Sequence, residues 1–210
     1  ELVERSHQAK LDVIIDFVPN HVAREYHSTC KPKGVEDLGA TDNPQWAFSP
    51  LNNFYYIHQP FAPSFDVEGY TENPTRATGN DCFTAHPSKD DWYETVKLNY
   101  GVFYQGSGEQ QFDPIPNTWH KMLHILLFWS NKGVDGFRCD MAEMVPQAFW
   151  AWVIPQVKAK YPNILFIAEV YNPNLYREYL AAGFDYLYDK VGMYDYLRGV
   201  TSKNWSAEGI

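Results

Sequence analysis

The 210-residue sequence predicts an α/β fold with a parallel sheet, interrupted by one long irregular insert. Three observations predict it. After Pro116, short apolar runs alternate with stretches of helical periodicity, which is the pattern of βα units. From Asn20 to about Pro116 that order breaks into segments rich in Pro, Gly, Asn and Asp. Polar residues gather at the carboxyl ends of the apolar runs, where function collects in parallel sheets.

Each element follows in chain order. ELVERSHQAK reads as the end of a helix feeding LDVIIDFVP, Leu11 to Pro19. That run is apolar and β-branched, so a buried strand is expected, stopped by Pro19. The stretch from Asn20 to Pro116 is too long for a structureless loop in a compact domain. It reads as an inserted subdomain with a few short strands, packed by Trp46, Phe48, Tyr55, Tyr56, Phe83, Trp92 and Tyr93. NTWHKMLHILLFWSNKG is a helix with Asn117 as candidate N-cap and Gly133 as the stop. Trp119, Met122, Leu123, Leu126, Leu127 and Trp129 carry its apolar face. VDGFRCD is a strand, and PQAFWAWVIPQVKAKYP a helix interrupted or kinked at Pro155. Ile164 to Val170 is a strand, NPNLYREYLAAG a helix closed by Gly183, and Phe184 to Asp189 a further strand. Residues 1–19 and 117–210 thus form the sheet-and-helix portions around an insert spanning 20–116.

Composition narrows the function. With 45% hydrophobic residues the chain is globular, and a net charge of −9 without a Lys/Arg cluster excludes a nucleic-acid partner. No apolar run reaches membrane-spanning length, so no membrane segment is expected. The 15 Tyr and 7 Trp pair flat apolar faces with polar tips, which suits sugar rings and equally an aromatic core. Cys30, Cys82 and Cys139 make no metal pattern; Cys30 and Cys82 either pair or stay as thiols. His120 and His124 have the spacing of a zinc pair but lack the Glu of the zinc-protease motif, and His124 is expected among core residues. His27, His58 and His86 are expected at the surface of the insert, and Asp189 and Asp195 as solvated loop carboxylates. The chain opens without an initiator Met or signal pattern and reads as a segment of a longer protein. Its compartment stays open, with extracellular or periplasmic slightly favoured.

The residues at the strand ends suggest chemistry. In GVDGFRCDMAEMV, Arg138 and Asp140 alternate with Phe137 and Cys139, so both charged groups point to one side of a strand. An ion pair is the plainest explanation of these two alone. Glu169 ends the next apolar run and Asp16 the first one. Adjacent strands lie about 4.8 Å apart, so Asp140 and Glu169 meet the spacing of about 5–5.5 Å between the two carboxyl groups of a retaining glycosidase. Arg138 is expected to keep Asp140 ionised as a nucleophile. Burial and a neighbouring carboxylate are expected to raise Glu169, as a proton donor requires.

DFVPNH, GFRCD and AEV, at Asp16–His21, Gly136–Asp140 and Ala168–Val170, resemble three signature motifs of the α-amylase family of glycoside hydrolases, in the family's order. KLNY, Lys97 to Tyr100, resembles a fourth motif near the end of the family's inserted domain. The resemblance implies a partial (β/α)8 TIM barrel, about strands three to six, with an inserted irregular domain B. It implies a retaining hydrolase acting on α-linked glucans, with an oligo- or polysaccharide as partner. Asp140 matches the nucleophile, Glu169 the general acid/base and Arg138 the arginine that positions the nucleophile. His21 matches the histidine that binds sugar, Asp16 the aspartate that braces the network, and Tyr100 is a candidate cleft residue. Asn20 matches a calcium-ligating position, but one residue does not make a hard-cation site, and no cofactor is expected to be required.

Two departures stand out. Many amylases carry Lys-His three and four residues after the nucleophile, where this chain has Glu143 and Met144. The family's His-Asp motif does not occur, so the segment alone is expected to have little or no activity. Transfer to a sugar in place of water, a catalytically silent glucan-binding or accessory protein, and an unrelated doubly wound α/β enzyme are the competing readings.

Overall fold

The computed structural model describes residues 1–29 and 31–209. The chain divides into two compact units, Glu1–Phe17 with Leu126–Ile210, and Val18–Ile125.

The first unit opens with α1 (Leu2–Gln8) and β1 (Ile14–Phe17). After α2 (Asn117–Asn131) it continues with β6 (Gly136–Cys139), α3 (Gln147–Lys160), β7 (Leu165–Ala168), α4 (Tyr176–Ala181), β8 (Tyr186–Leu187) and α5 (Asp195–Lys203). The strands form one parallel sheet in the order β1-β6-β7-β8, so neighbours in space follow chain order without reversal. That is the winding of a barrel; a doubly wound sheet reverses at a switch point.

The core beneath the sheet is aromatic. Trp150 of α3 is fully buried and meets Phe184 edge-on at 4.8 Å and Phe17 at 6.3 Å. Phe137 and Phe166, both fully buried, pair across adjacent strands at 5.5 Å. Such edge-to-face and offset contacts add to the area term. Gly136 lets the strands close: a Cβ there would lie 2.7 Å from both Ile14 Cδ1 and the Leu165 carbonyl. Gly133, at φ 87°, takes the chain out of α2 in the left-handed conformation that disfavours a side chain.

Several sequence expectations change here. β1 covers four residues, and Leu11 and Ile14 are 61% and 39% exposed, because β1 has a strand on one side alone among the described residues. α3 runs unbroken through Pro155. Pro155 and Ala151, whose carbonyl the proline leaves unpaired, both face solvent, where water replaces the lost bond. Asn117 is the first helical residue of α2, and its side chain accepts from Asn53 Nδ2. Trp129 and His124 are exposed, because the buried stripe runs through Trp119, Met122 and Leu126.

The second unit has little regular structure. β2 (His21–Ala23) pairs antiparallel with β5 (Thr95–Lys97), and β3 (Tyr56–Ile57) with β4 (Thr75–Arg76). Phe54, Tyr55, Tyr56, Val96, Leu98 and Tyr100 form its core. Side chains replace missing ladders. Buried Arg24 donates to the Tyr93, Arg76 and Thr95 carbonyls and pairs with Glu72 at 2.8 Å, which also holds Arg76 at 2.7 Å. Asp42 accepts from the Asn53 and Phe54 amides and the Tyr56 hydroxyl. Trp46 and Trp92, expected in this core, are 50% and 36% exposed; both lie in turns that point them outward. His27, His58 and His86 are exposed as expected. Cys139 is a buried thiol, and pairing of Cys82 with Cys30 lies outside the described residues. No helix among the described residues is long and apolar enough to cross a membrane.

Candidate active site

The first unit brings Asp16, Arg138, Asp140 and Glu169 together at the carboxyl end of its sheet. Register does most of this. Asp16 on β1 sits opposite Arg138 on β6, and Cys139 opposite Ala168 on β7. The residues that follow each pairing, Asp140 and Glu169, therefore leave neighbouring strands side by side.

Arg138 is the hub. One terminal nitrogen binds Asp140 at 2.6 Å and Asp16 at 3.0 Å, and the other binds Glu169 at 2.7 Å. Its Nε donates to the Tyr188 hydroxyl at 3.0 Å. The planar guanidinium suits this work, since its fixed fork spans two carboxylates. Asp16 is the outermost member, 56% exposed, while Glu169 is 9% exposed.

The Glu169 carboxylate also accepts from the Met141 amide at 2.9 Å and from the Tyr171 hydroxyl. Met141 delivers that amide from a left-handed turn at φ 44°, a costly conformation for a side-chain residue held by its surroundings. Glu143 accepts from the amides of Tyr171 and Asn172, both at 3.1 Å, and so pins the loop that carries Tyr171. Asp140 and Glu169 act on one another electrostatically, each shifting the other.

The electrostatics reverse the expectation drawn from sequence. Burial pushes the Asp140 carboxyl up; Arg138 opposes this, but the hydrogen bond and charge of Glu169 add to it, and the balance is upward. Burial also works upward on Glu169. The Tyr171 hydroxyl, the Met141 amide and the Arg138 charge outweigh it and hold Glu169 below its usual range. The sequence showed the arginine beside Asp140 but not the three donors that converge on Glu169.

Tyr171 had a readable signal, because it stands two residues after Glu169 and therefore on the same side of an extended chain. Met141, Glu143 and Tyr188 act through turn geometry and long-range contact, which no local pattern announces.

His21, Asn20 and Tyr100 belong to the second unit. The His21 ring packs against Trp92 at 5.3 Å. Tyr100 is buried and donates its hydroxyl to the Pro19 carbonyl at 2.8 Å. Asn20 is buried; its amide nitrogen donates to the Gly79 carbonyl and its side-chain oxygen accepts from Lys97. Among the described residues no group of three or more His, Cys, Asp or Glu side chains is placed to hold a metal ion.

Comparisons with known proteins agree with this architecture. The alpha-amylase catalytic-domain family matches residues 1–179. An alpha-1,4-glucan:maltose-1-phosphate maltosyltransferase of Cereibacter sphaeroides is 29% identical over 136 residues, covering 61% of this chain and 21% of that protein. The enzyme of the same name from Methylacidiphilum infernorum is 39% identical over 71 residues, 33% of this chain and 11% of that one. The chain thus spans about a fifth or less of the length of these curated relatives. Among solved structures, an alpha-amylase from Lactobacillus plantarum superposes with a TM-score of 0.55 at 25% identity, covering 95% of this chain and 37% of that chain. A cyclic alpha-maltosyl-(1→6)-maltose hydrolase from Arthrobacter globiformis, at 17% identity, shares the fold with a TM-score of 0.60 over 96% of this chain and 36% of its own. A family match over most of its length, on a parallel sheet wound in barrel order, means that this chain belongs to the alpha-amylase family.

Proposed function

We propose that this chain carries the nucleophile and the general acid/base of a retaining enzyme acting on α-linked glucans, with hydrolysis as its reaction. One observation carries the reading. Asp140 and Glu169 leave adjacent strands at the carboxyl end of the sheet and are both held by one arginine.

The retaining mechanism places its two carboxyl groups about 5–5.5 Å apart with the sugar between them. In that arrangement Asp140 acts as the ionised nucleophile, steadied by Arg138, and Glu169 as the protonated acid. The Asp140 carboxylate forms a bond to the anomeric carbon as the glycosidic C–O bond breaks, and the Glu169 proton goes to the leaving oxygen. Water then attacks the anomeric carbon, gives its proton to Glu169 and releases Asp140. Asp16 braces the far side of Arg138. His21 enters the proposal as a sugar-contacting residue on sequence grounds; Tyr100, buried in the core of the second unit, does not.

The relatives named as maltosyltransferases favour a second reading, in which a glucan hydroxyl replaces water in the last step. Turnover of a chromogenic maltooligosaccharide by the full-length protein that carries this segment tests the shared mechanism. Asp140→Asn and Glu169→Gln are each expected to lose about 10²–10⁴-fold in rate or more. Unchanged turnover in both refutes the assignment. Supplying maltose 1-phosphate with an α-1,4-glucan separates the readings: lengthened glucan and free phosphate support transfer, free maltose supports hydrolysis.

A further inference from the structure

The resemblance that marks Asn20 as a calcium ligand meets a side-chain arrangement that does not fit calcium. A calcium ion takes six to eight oxygens at about 2.3–2.6 Å. The Asn20 side-chain oxygen instead accepts from Lys97 Nζ at 2.9 Å. Asp81, the nearest carboxylate to that oxygen's partner, lies 2.5 Å from the same Nζ. The Asn20 amide nitrogen donates to the Gly79 carbonyl at 2.7 Å, and the Asn20 backbone carbonyl accepts from Leu98. A divalent ion on the Asn20 oxygen would compete with the like-charged Lys97 ammonium for the same acceptor.

Lys97 is an unusual residue in its own right. Its side chain is 1% exposed, and lysine is almost never so buried unless paired. Two oxygens take its protons, and the face of the Tyr104 ring lies 5.3 Å from the nitrogen.

We propose that the Lys97 ammonium fills the cation position of this unit, so that the chain's own fixed charge stands where a bound metal would. The ammonium ties three segments. Asn20 immediately precedes β2, Lys97 ends β5, and Asp81 comes from the turn 78–82. The turn is shaped to present Asp81, which sits at φ 67° with its amide on the Thr78 carbonyl, while the Thr78 amide donates to the Cys82 carbonyl. Gly79 packs so tightly that a Cβ would lie 2.6 Å from Thr95 Oγ1 and 2.8 Å from His21 Cβ. His21 pairs directly with Lys97 across the β2–β5 ladder. The backbone that positions His21 is therefore secured by a lysine and is indifferent to calcium.

Thermal unfolding of the chain by circular dichroism, in EDTA and in millimolar calcium chloride, tests this. Wild type is expected to unfold at the same temperature in both, within about 1 °C. Lys97→Met, which keeps the volume and removes the charge, is expected to lower the midpoint by about 5–10 °C in both buffers. Should that variant fail to fold, Asp81→Asn is expected to lower the midpoint by a few degrees, because Asp81 is 42% exposed. A wild-type midpoint that rises with calcium, with the rise abolished in Asn20→Ala, overturns the proposal. So does a Lys97→Met midpoint equal to that of wild type.

Discussion

Replacing Arg138 with methionine removes the one cation that touches Asp16, Asp140 and Glu169. Removing one partner of a fully buried ion pair costs about 3–5 kcal/mol. Arg138 and Asp140 are 23% and 20% exposed, so water recovers part of the loss, and about 2 kcal/mol at pH 7 is the expected deficit. For a chain of this size that lowers the unfolding midpoint by about 4–8 °C. The pH dependence has a definite sign. In the wild type Glu169 is held below its usual range, so it contributes stability that is present above the unfolded carboxylate pKa and lost on acidification. Without Arg138, burial and the Glu169 charge push Asp140 further upward, and Glu169 loses one of the influences that hold it down. The folded variant then binds more protons than the folded wild type, so its stability relative to wild type falls as pH rises through the carboxylate range. The deficit is therefore small near pH 4 and full at pH 7. Urea unfolding of both proteins at these two pH values measures it. A deficit that is equal at both, or greater in acid, refutes the view that Arg138 works by neutralising the pair.

Two further substitutions probe the same sheet. Tyr171→Phe removes a hydroxyl that, pushed up to about 12, remains a proton donor at neutral pH. The Glu169 carboxyl is expected to move upward, and the acidic limb of the kcat/KM profile to shift to higher pH; an unmoved limb detaches Tyr171 from the acid/base. Gly136→Ala places a methyl group 2.7 Å from Ile14 and Leu165 atoms. Overpacking of about 1–3 kcal/mol is expected, seen as a fall of roughly 2–10 °C in unfolding temperature, and an unchanged midpoint would show that β1 and β7 yield freely.

The order βαβαβ, the end of each strand and the polar residues there could all be read locally. Phe137 and Phe166 announce buried strands, Gly133 a helix stop, and Arg138 with Asp140 a shared face, because backbone geometry repeats over two or three residues. β1 misled for the same reason: its apolar run carries no mark of standing at a sheet edge. The insert was legible as irregular, but the Arg24–Glu72–Arg76 network that holds it joins residues up to 52 apart. Local sequence therefore determined which side chains reach the carboxyl end of the sheet. Tertiary structure alone decided which way the Asp140 and Glu169 carboxyls are pushed and which cation Asn20 faces. Those outcomes depend on Met141 and Lys97, donors that lie 28 and 77 residues from the Glu169 and Asn20 side chains they meet, and a hydrogen bond acts only across the last three ångströms.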